Sequence, residues 1–134
     1  MVMTEQIVLL DDAGRAIGSA GKAASHCRDT PYRDTPLQLA FSCYVFDAAD
    51  RVLLTRCAAV KRTWPGGAWT NSFCGHPGPG EGLSAATYRR ARGELGVEIS
   101  DLHMVLPGFR YGAVMDDGTV EHECCPVVTA CLDD

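Results

Sequence analysis

Several features are scarce in this sequence, and each shortage removes a class of function. No apolar run approaches the roughly 20 residues needed to cross a bilayer as a helix. The opening residues Met1-Val2-Met3-Thr4-Glu5 lack the basic and apolar regions of an export signal, which predicts a cytoplasmic protein. Positive charge is also short. The net charge of -5 and a pI near 5.2 offer no general attraction to nucleic acid or to an anionic membrane. Only Arg89-Arg90-x-Arg92 forms a local basic patch. The seven cysteines are odd in number and contain no C-x-x-C pair, so neither a disulfide framework nor a zinc ribbon is expected. Reduced thiols, most of them small core residues, fit better. The 134 residues suit one domain, 1–134, with an ordinary soluble composition.

Patterning predicts many strands and one helix. Glu5–Leu10 reads as a strand closed by the turn Asp11-Asp12-Ala13-Gly14, with a second short strand over Ala16–Gly18. Lys22–His26 reads as a brief piece able to form a helical turn. Arg28-Asp29-Thr30-Pro31 recurs as Arg33-Asp34-Thr35-Pro36, a tandem duplication whose prolines make it a loop. Leu37–Phe46 and Arg51–Arg56 flank Asp47-Ala48-Ala49-Asp50 and predict a hairpin of long, largely buried strands. A helix is expected over Leu83–Leu95, with Gly96 where a left-handed residue ends it. Leu102–Ala113 and Val120–Ala130 flank the turn signal Asp116-Asp117-Gly118 and predict a second hairpin. Together these elements give an α+β domain with a mixed β-sheet packed with a central helix.

The chemistry gathers around Trp69-Thr70-Asn71-Ser72-Phe73-Cys74-Gly75-His76-Pro77. On an extended strand Cys74 and His76, two residues apart, point to the same face and can share a pocket. A buried cysteine beside a strand-end histidine is the bland alternative. Glu121 and Glu123 share a face on the last long strand, while His122 points away. Two carboxylates on one buried face are costly without a cation between them. The bland alternative is an exposed polar face on an edge strand, where they would cost nothing. With His26 and His76 in the same chain, a divalent metal is favoured, and this ligand set suits Mg²⁺, Mn²⁺ or Zn²⁺. Gly75, Glu81, Arg89 and Glu94-Leu95-Gly96-Val97 follow the spacing of the Nudix box, G-x5-E-x7-R-E-U-x-E-E-x-G-U. Two acids of that box are replaced here by Arg90 and Gly93. Their loss should remove the metal cluster that hydrolyses a diphosphate, while Arg90 adds a cation able to bind one.

The chain resembles the type 1 isopentenyl-diphosphate isomerases, which have a Nudix-like fold, from about Ile7 to its end. The resemblance rests on Leu39-Ala40-Phe41-Ser42, Lys61-Arg62-x-Trp64-Pro65-Gly66, the Trp69–Pro77 run, Arg89-Arg90, Glu94-Leu95-Gly96-Val97, Phe109-Arg110-Tyr111 and Val120-Glu121-x-Glu123-x-Cys125-Pro126. It implies that Cys74 and Glu123 are an acid–base pair on opposite faces of an alkene, with Tyr111 assisting Glu123. It implies a metal held by His26, His76, Glu121 and Glu123, this second divalent ion being Mn²⁺, Mg²⁺ or Zn²⁺. It further implies that Glu94 and the Cys74 carbonyl hold a Mg²⁺ travelling with the substrate diphosphate, and that Lys22, Lys61 and Arg90 touch the phosphates. The expected partner is a small-molecule prenyl diphosphate, with no nucleic acid or membrane, in a monomer or weak homodimer.

The pattern breaks in three places. The family's second metal histidine corresponds to Gln38, an amide that can ligate Mg²⁺ or Mn²⁺ but is a poor substitute on Zn²⁺. The family's T-R-R is Thr55-Arg56-Cys57, one arginine fewer. The resemblance also implies a C-terminal strand and helices, with a tryptophan that closes the pocket, beyond what this sequence contains. The expected activity is conversion of isopentenyl to dimethylallyl diphosphate. The alternatives are a diverged relative acting on a longer prenyl diphosphate, for instance by protonation-initiated cyclisation, and a non-catalytic prenyl-diphosphate binder. Pyrophosphate hydrolysis ranks last.

Overall fold

The computed structural model of the chain describes residues 6–21, 27–28, 37–56, 69–114 and 119–133, and only the backbone of 27–28 and 119–121. The sequence-predicted piece Lys22–His26, the repeat 29–36, the cationic loop 61–67 and the 116–118 turn lie outside the described residues.

Two long segments organise the fold, and each passes from one sheet into another. The first is β4 (Leu37–Leu39) and β5 (Phe41–Phe46), interrupted at Ala40. The second is β11 (Thr119–Cys124) and β12 (Val127–Leu132), interrupted at Cys125-Pro126. Proline has no N–H to give a ladder, so the break at Pro126 is written in the sequence. The segments run parallel through both sheets, Glu123 beside Gln38 and Val128 beside Cys43. Between them, Ala40 N–H donates to Cys124 O (2.9 Å) and Ser42 N–H to Pro126 O (3.0 Å), so pairing survives the crossing.

Around the first halves forms a six-stranded sheet in the order β10-β11-β4-β1-β2, with β3 (Cys27–Arg28) also on β11. It contains the hairpin β1 (Gln6–Leu10) and β2 (Ala16–Gly21), and β10 (Arg110–Val114) on the outer edge. Around the second halves forms a four-stranded sheet in the order β8-β5-β12-β9, with β8 spanning Phe73–Gly75 and β9 Ile99–Leu106. A two-stranded pair joins β6 (Thr55–Arg56) to β7 (Trp69–Thr70).

The main core lies between the four-stranded sheet and the helix. Along β5 burial alternates, with Phe41, Cys43 and Val45 inward, and Val128 and Ala130 of β12 lie beside Cys43 and Val45. Phe41 meets Phe73 edge-on at 6.1 Å between ring centroids. Ala86 and Ala91 bring the helix onto this surface. Burial pushes the Cys43 thiol up to about 12, the behaviour of an inert core residue. A smaller cluster of Val8, Leu10 and Leu37 belongs to the other sheet.

The helical stretch covers the expected Leu83–Leu95 in two parts. The α-helix α1 is Leu83–Arg90, and a π-helical turn occupies Ala91–Leu95. Gly96 ends it with φ 66°, the left-handed conformation that glycine adopts without a Cβ penalty. The first two hairpin turns share a device. Asp11 accepts from the N–H groups of Ala13 and Arg15, and Asp47 from those of Ala49 and Arg51. The backbone N–H of Arg15 or Arg51 is the main reason each carboxyl lies below the usual range.

Three strand expectations are corrected. Arg51–Arg56 is not a long buried strand. It makes one bridge, Val52 to Phe46, then only β6, and Val52, Leu53 and Leu54 are exposed. Leu102–Ala113 divides into β9 and β10 in different sheets, around a turn at Pro107-Gly108. Val120–Ala130 likewise divides at Cys125-Pro126. Each break falls where the chain changes sheet.

Candidate active site

The crossing of the two long segments brings the candidate residues together. On the six-stranded sheet, Tyr111 lies opposite Glu123, Glu123 beside Gln38, and Gln38 opposite Leu9. Directly paired residues share a face, so three polar side chains stand in a row. Glu123 is 5% exposed and Gln38 is fully buried. The Tyr111 hydroxyl donates to Glu123 Oε2 at 2.8 Å. Strand β11 is an inner strand and Glu123 is buried, which rules out an exposed polar edge for this carboxylate. Phe109, just before β10 and exposed, has its ring 6.1 Å from that of Tyr111.

His76 joins this row from the other sheet. Its Nδ1 is 3.1 Å from the Leu39 carbonyl, next to Gln38, and the residue is 7% exposed. With Nδ1 as the donor, the lone pair lies on Nε2, the form in which imidazole ligates a metal. Cys74 differs from the expectation. Strand β8 ends at Gly75, so the period-two rule does not carry to His76, and Cys74 is exposed while His76 is buried.

Beneath Cys74 runs a polar chain that sequence reasoning did not assign. Ser42 is the cross-strand partner of Cys74. Asn71 Nδ2 donates to Ser42 Oγ at 3.1 Å, and Cys125 Sγ lies 3.4 Å from the same oxygen. Burial, opposed by the hydrogen bond to Ser42, pushes the Cys125 thiol up to about 12. The one signal available in the sequence was a hydroxyl inside an apolar strand.

The helix supplies cations. Arg90 lies across Gly75, where an added Cβ would stand 2.7 Å from Arg90 Cγ, so only glycine fits. Arg90 pairs with Glu94 one turn later, and its Nε is buried with no hydrogen bond among the described residues. Arg89 instead clamps the loop. It grips Glu81 through two bonds of 2.9 Å and donates to the His76 carbonyl at 3.2 Å. Glu81 Oε1 also accepts from Gly78 N–H (3.0 Å). The bonds from Arg89, then that from Gly78, hold the Glu81 carboxyl below its ordinary range. The Glu81 and Arg89 positions of the Nudix spacing therefore fix the loop carrying His76 to the helix.

Lys22, His26, Lys61, Cys57 and Trp64 lie outside the described residues, as does the side chain of Glu121. Two of the four expected metal ligands, His76 and Glu123, are thus described. Among the described residues no three His, Cys, Asp or Glu side chains converge as a preformed metal site. The donor set nevertheless fits a hard divalent ion, since a buried carboxylate, an amide and an imidazole meet around one strand crossing. Trp69 is 67% exposed, with the Arg56 guanidinium over its ring at 5.7 Å. No helix among the described residues is long and apolar enough to cross a membrane.

The chain is similar to several known proteins. The NUDIX domain family matches residues 36–134. The isopentenyl-diphosphate Delta-isomerase of Mycolicibacterium vanbaalenii is 63% identical over 123 residues, 92% of this chain and 65% of the relative. That of Paenarthrobacter aurescens is 55% identical over 130 residues, 97% of this chain and 67% of the relative. The chain spans about two thirds of the length of these curated relatives. A crystal structure of DR0079 from Deinococcus radiodurans superposes with a TM-score of 0.67 at 17% identity, covering 97% of this chain and 74% of that one. That likeness concerns the fold.

Proposed function

Because the chain belongs to the NUDIX family and to its isopentenyl-diphosphate isomerase branch, we propose that it moves the double bond of isopentenyl diphosphate from the 3,4 to the 2,3 position. The observation that carries this reading is the buried Glu123 carboxylate under the Tyr111 hydroxyl, at 2.8 Å. Alkene isomerisation needs one proton delivered to a carbon and another removed from its neighbour. A site with a hydrogen-bonded carboxyl and a separate thiol has both groups.

Glu123 and Cys74 are the acid–base pair, and Tyr111 orients Glu123 and stabilises its charged form. The tertiary cation between the two proton transfers is unstable in water, so exclusion of solvent and fixed negative charge are required. The rings of Phe109 and Tyr111 offer π faces to that cation. Arg90 binds the diphosphate together with Lys22 and Lys61. Its guanidinium is held over Gly75 by packing, which fixes the approach of the phosphates next to Cys74.

His26, His76, Glu121, Glu123 and Gln38 would hold one divalent ion, with Mg²⁺ or Mn²⁺ favoured by the amide. Glu94 and the Cys74 carbonyl would hold the Mg²⁺ that accompanies the diphosphate. Such ions supply positive charge that keeps carboxylates together and neutralises phosphate. Arg90 and Gly93, standing where the hydrolytic box has acids, argue that the diphosphate leaves intact.

The test is incubation of the protein with isopentenyl diphosphate and Mg²⁺ in D₂O, followed by mass analysis. Deuterium in dimethylallyl diphosphate is expected. Binding without label would make the protein a non-catalytic binder, and released phosphate would make it a hydrolase. A labelled product from geranyl diphosphate alone would move the substrate to a longer chain.

A further inference from the structure

One buried hydroxyl accounts for the failure of residues 51–56 to form a long strand. Val52 bridges Phe46 in the antiparallel sense, which puts Leu53 opposite Val45 in the next pair. Antiparallel residues bonded directly to each other exchange two N–H···O bonds. Val45 and Leu53 exchange one, from Leu53 N–H to the Val45 carbonyl at 2.9 Å. The second path runs through Ser72 Oγ, 2.8 Å from Val45 N and 2.5 Å from Leu53 O. Its direction is forced. A backbone N–H only donates and a carbonyl only accepts, so the hydroxyl accepts from Val45 and donates to Leu53. Ser72 is 1% exposed, which keeps water from competing for these bonds.

At this residue the edge of β5 changes partner. Phe46 faces Val52, whereas Cys43, Ser42 and Phe41 face Phe73, Cys74 and Gly75 of β8. Ser72 N–H also donates to the Cys43 carbonyl at 3.1 Å, so both its backbone and its side chain hold it to β5. The displaced segment turns away to pair with β7. There Thr55 lies opposite Thr70 and donates to the Asn71 carbonyl through N–H (3.2 Å) and Oγ1 (2.8 Å). Three segments thus meet at Ser72, and its hydroxyl fills the gap where one leaves β5 and another arrives.

We propose that Ser72 is a positioning residue for Cys74: its hydroxyl ends the pairing of β5 with residues 51–54 and seats β8 in register. The thiol two residues later then stands at a fixed place in the site. This rests on the reading of Cys74 as the proton-transfer group. An alanine at 72 would leave a buried donor and a buried acceptor facing each other across the space of one hydroxyl. Closing that space into an ordinary pair would satisfy both, drawing Leu53 onto β5 and pushing residue 72 off it. Strand β8 has only the three residues Phe73–Gly75, so it would move with residue 72. No hydrogen bond of Ser72 reaches the groups assigned to the diphosphate, so the placement of the thiol enters the rate more than the affinity.

The test uses Ser72→Ala and Ser72→Thr in the full chain, with two readouts. NOEs between β5 and β8, from Phe41 to Gly75 and from Cys43 to Phe73, should weaken in Ser72→Ala. Those from Cys43 to Val128 of β12 should stay as in the parent, whereas a general loss of stability would weaken both sets. With isopentenyl diphosphate and Mg²⁺, kcat per folded molecule should fall roughly tenfold, the factor one ordinary hydrogen bond supplies. KM should stay within about twofold of the parent. Ser72→Thr keeps the hydroxyl and should recover the NOEs and most of the turnover.

Parental β5–β8 NOEs in Ser72→Ala would overturn the proposal, as would loss of the β12 NOEs along with them. A rise in KM in place of the fall in kcat would also overturn it, as would a folded Ser72→Thr protein that recovers neither readout. If Ser72→Ala does not fold, Ser72→Cys takes its place. Its thiol is of similar size but donates and accepts weakly, so the same pattern is expected in smaller measure, and parental NOEs there would sink the proposal. A parent chain without turnover would remove the isomerase reading on its own. The NOEs, which need no turnover, would then still decide whether Ser72 seats β8.

Discussion

The carboxylate and the thiol of the site stand in opposite surroundings. Glu123 sits on an inner strand, 5% exposed, under a tyrosine hydroxyl. Cys74 sits on β8, at the edge of its sheet, and is exposed, with Ser42 as its cross-strand partner. A carboxylate is costly to bury, so this side of the site is tied to donors, and its geometry is fixed by what neutralises it. A thiol makes no such demand and can stand exposed. One group is buried and the other is open to solvent.

The largest break in that comparison is Cys74→Ser. Exposure makes the exchange harmless to the fold, but a hydroxyl is a far weaker acid than a thiol. Turnover should fall at least ~10²–10⁴-fold, as for loss of a general acid or base, with an unchanged melting temperature. Near-parental turnover would remove Cys74 from the reaction. The same exchange at Cys43 should leave turnover alone, because that thiol faces the core away from the site.

Next comes Glu121→Gln, on the same face of β11 as Glu123. Turnover should drop by at least the ~10–100-fold seen when only a supporting group at a metal site is lost. Added Mg²⁺ or Mn²⁺ should restore part of it, and a chelator should mimic the variant in the parent protein. Indifference to chelator and to added metal would count decisively against the site.

Tyr111→Phe sharpens the buried side. It removes the 2.8 Å donor from Glu123, at a cost of about 1–3 kcal/mol for a buried acceptor left short. Both stability in urea and turnover should fall, by contrast with Cys74→Ser. If stability is unmoved, Glu123 does not depend on Tyr111. Gln38→His should have a smaller effect and the opposite sign. Gln38 is fully buried beside Glu123, and an imidazole there would add a nitrogen ligand. Turnover at limiting metal should rise a few-fold, and more with Cys57→Arg, which regains a bidentate phosphate contact. No gain from the double change would show that this pocket is not a weakened form of the family's.

The smallest effect lies away from the two groups, in the loop clamp. Glu81 titrates below the ordinary range because Arg89, then the Gly78 N–H, bind its charged form. A depressed carboxyl contributes stability above its unfolded value of about 4.3, and loses it as pH falls through the lower folded value. Glu81→Gln should therefore cost on the order of 1 kcal/mol at pH 7. The gap between parent and variant, followed by urea unfolding, should close as the pH drops below about 4. A constant gap would mean that Glu81 acts by packing and not by charge.

Much of this molecule is determined by local sequence. The Asp11 and Asp47 turns, the Leu83–Leu95 helical span and its stop at Gly96 are short-range, since the groups that satisfy each backbone bond lie within a few residues. The spacing of Gly75, Glu81 and Arg89 likewise marks the family in the sequence itself. Pro126 marks one break locally, but tertiary structure decided which sheet each half-strand joins, and that placed the site. At Ala40 and Cys125-Pro126 two parallel segments cross, and no local period records which partner a half-strand will take. The same crossing put Gln38 beside Glu123, brought the Leu39 carbonyl to His76, and left Cys74 exposed while His76 was buried. Alternation along a strand says which residues share a face. Which face is covered, and by what, depends on pairings between residues far apart in the chain.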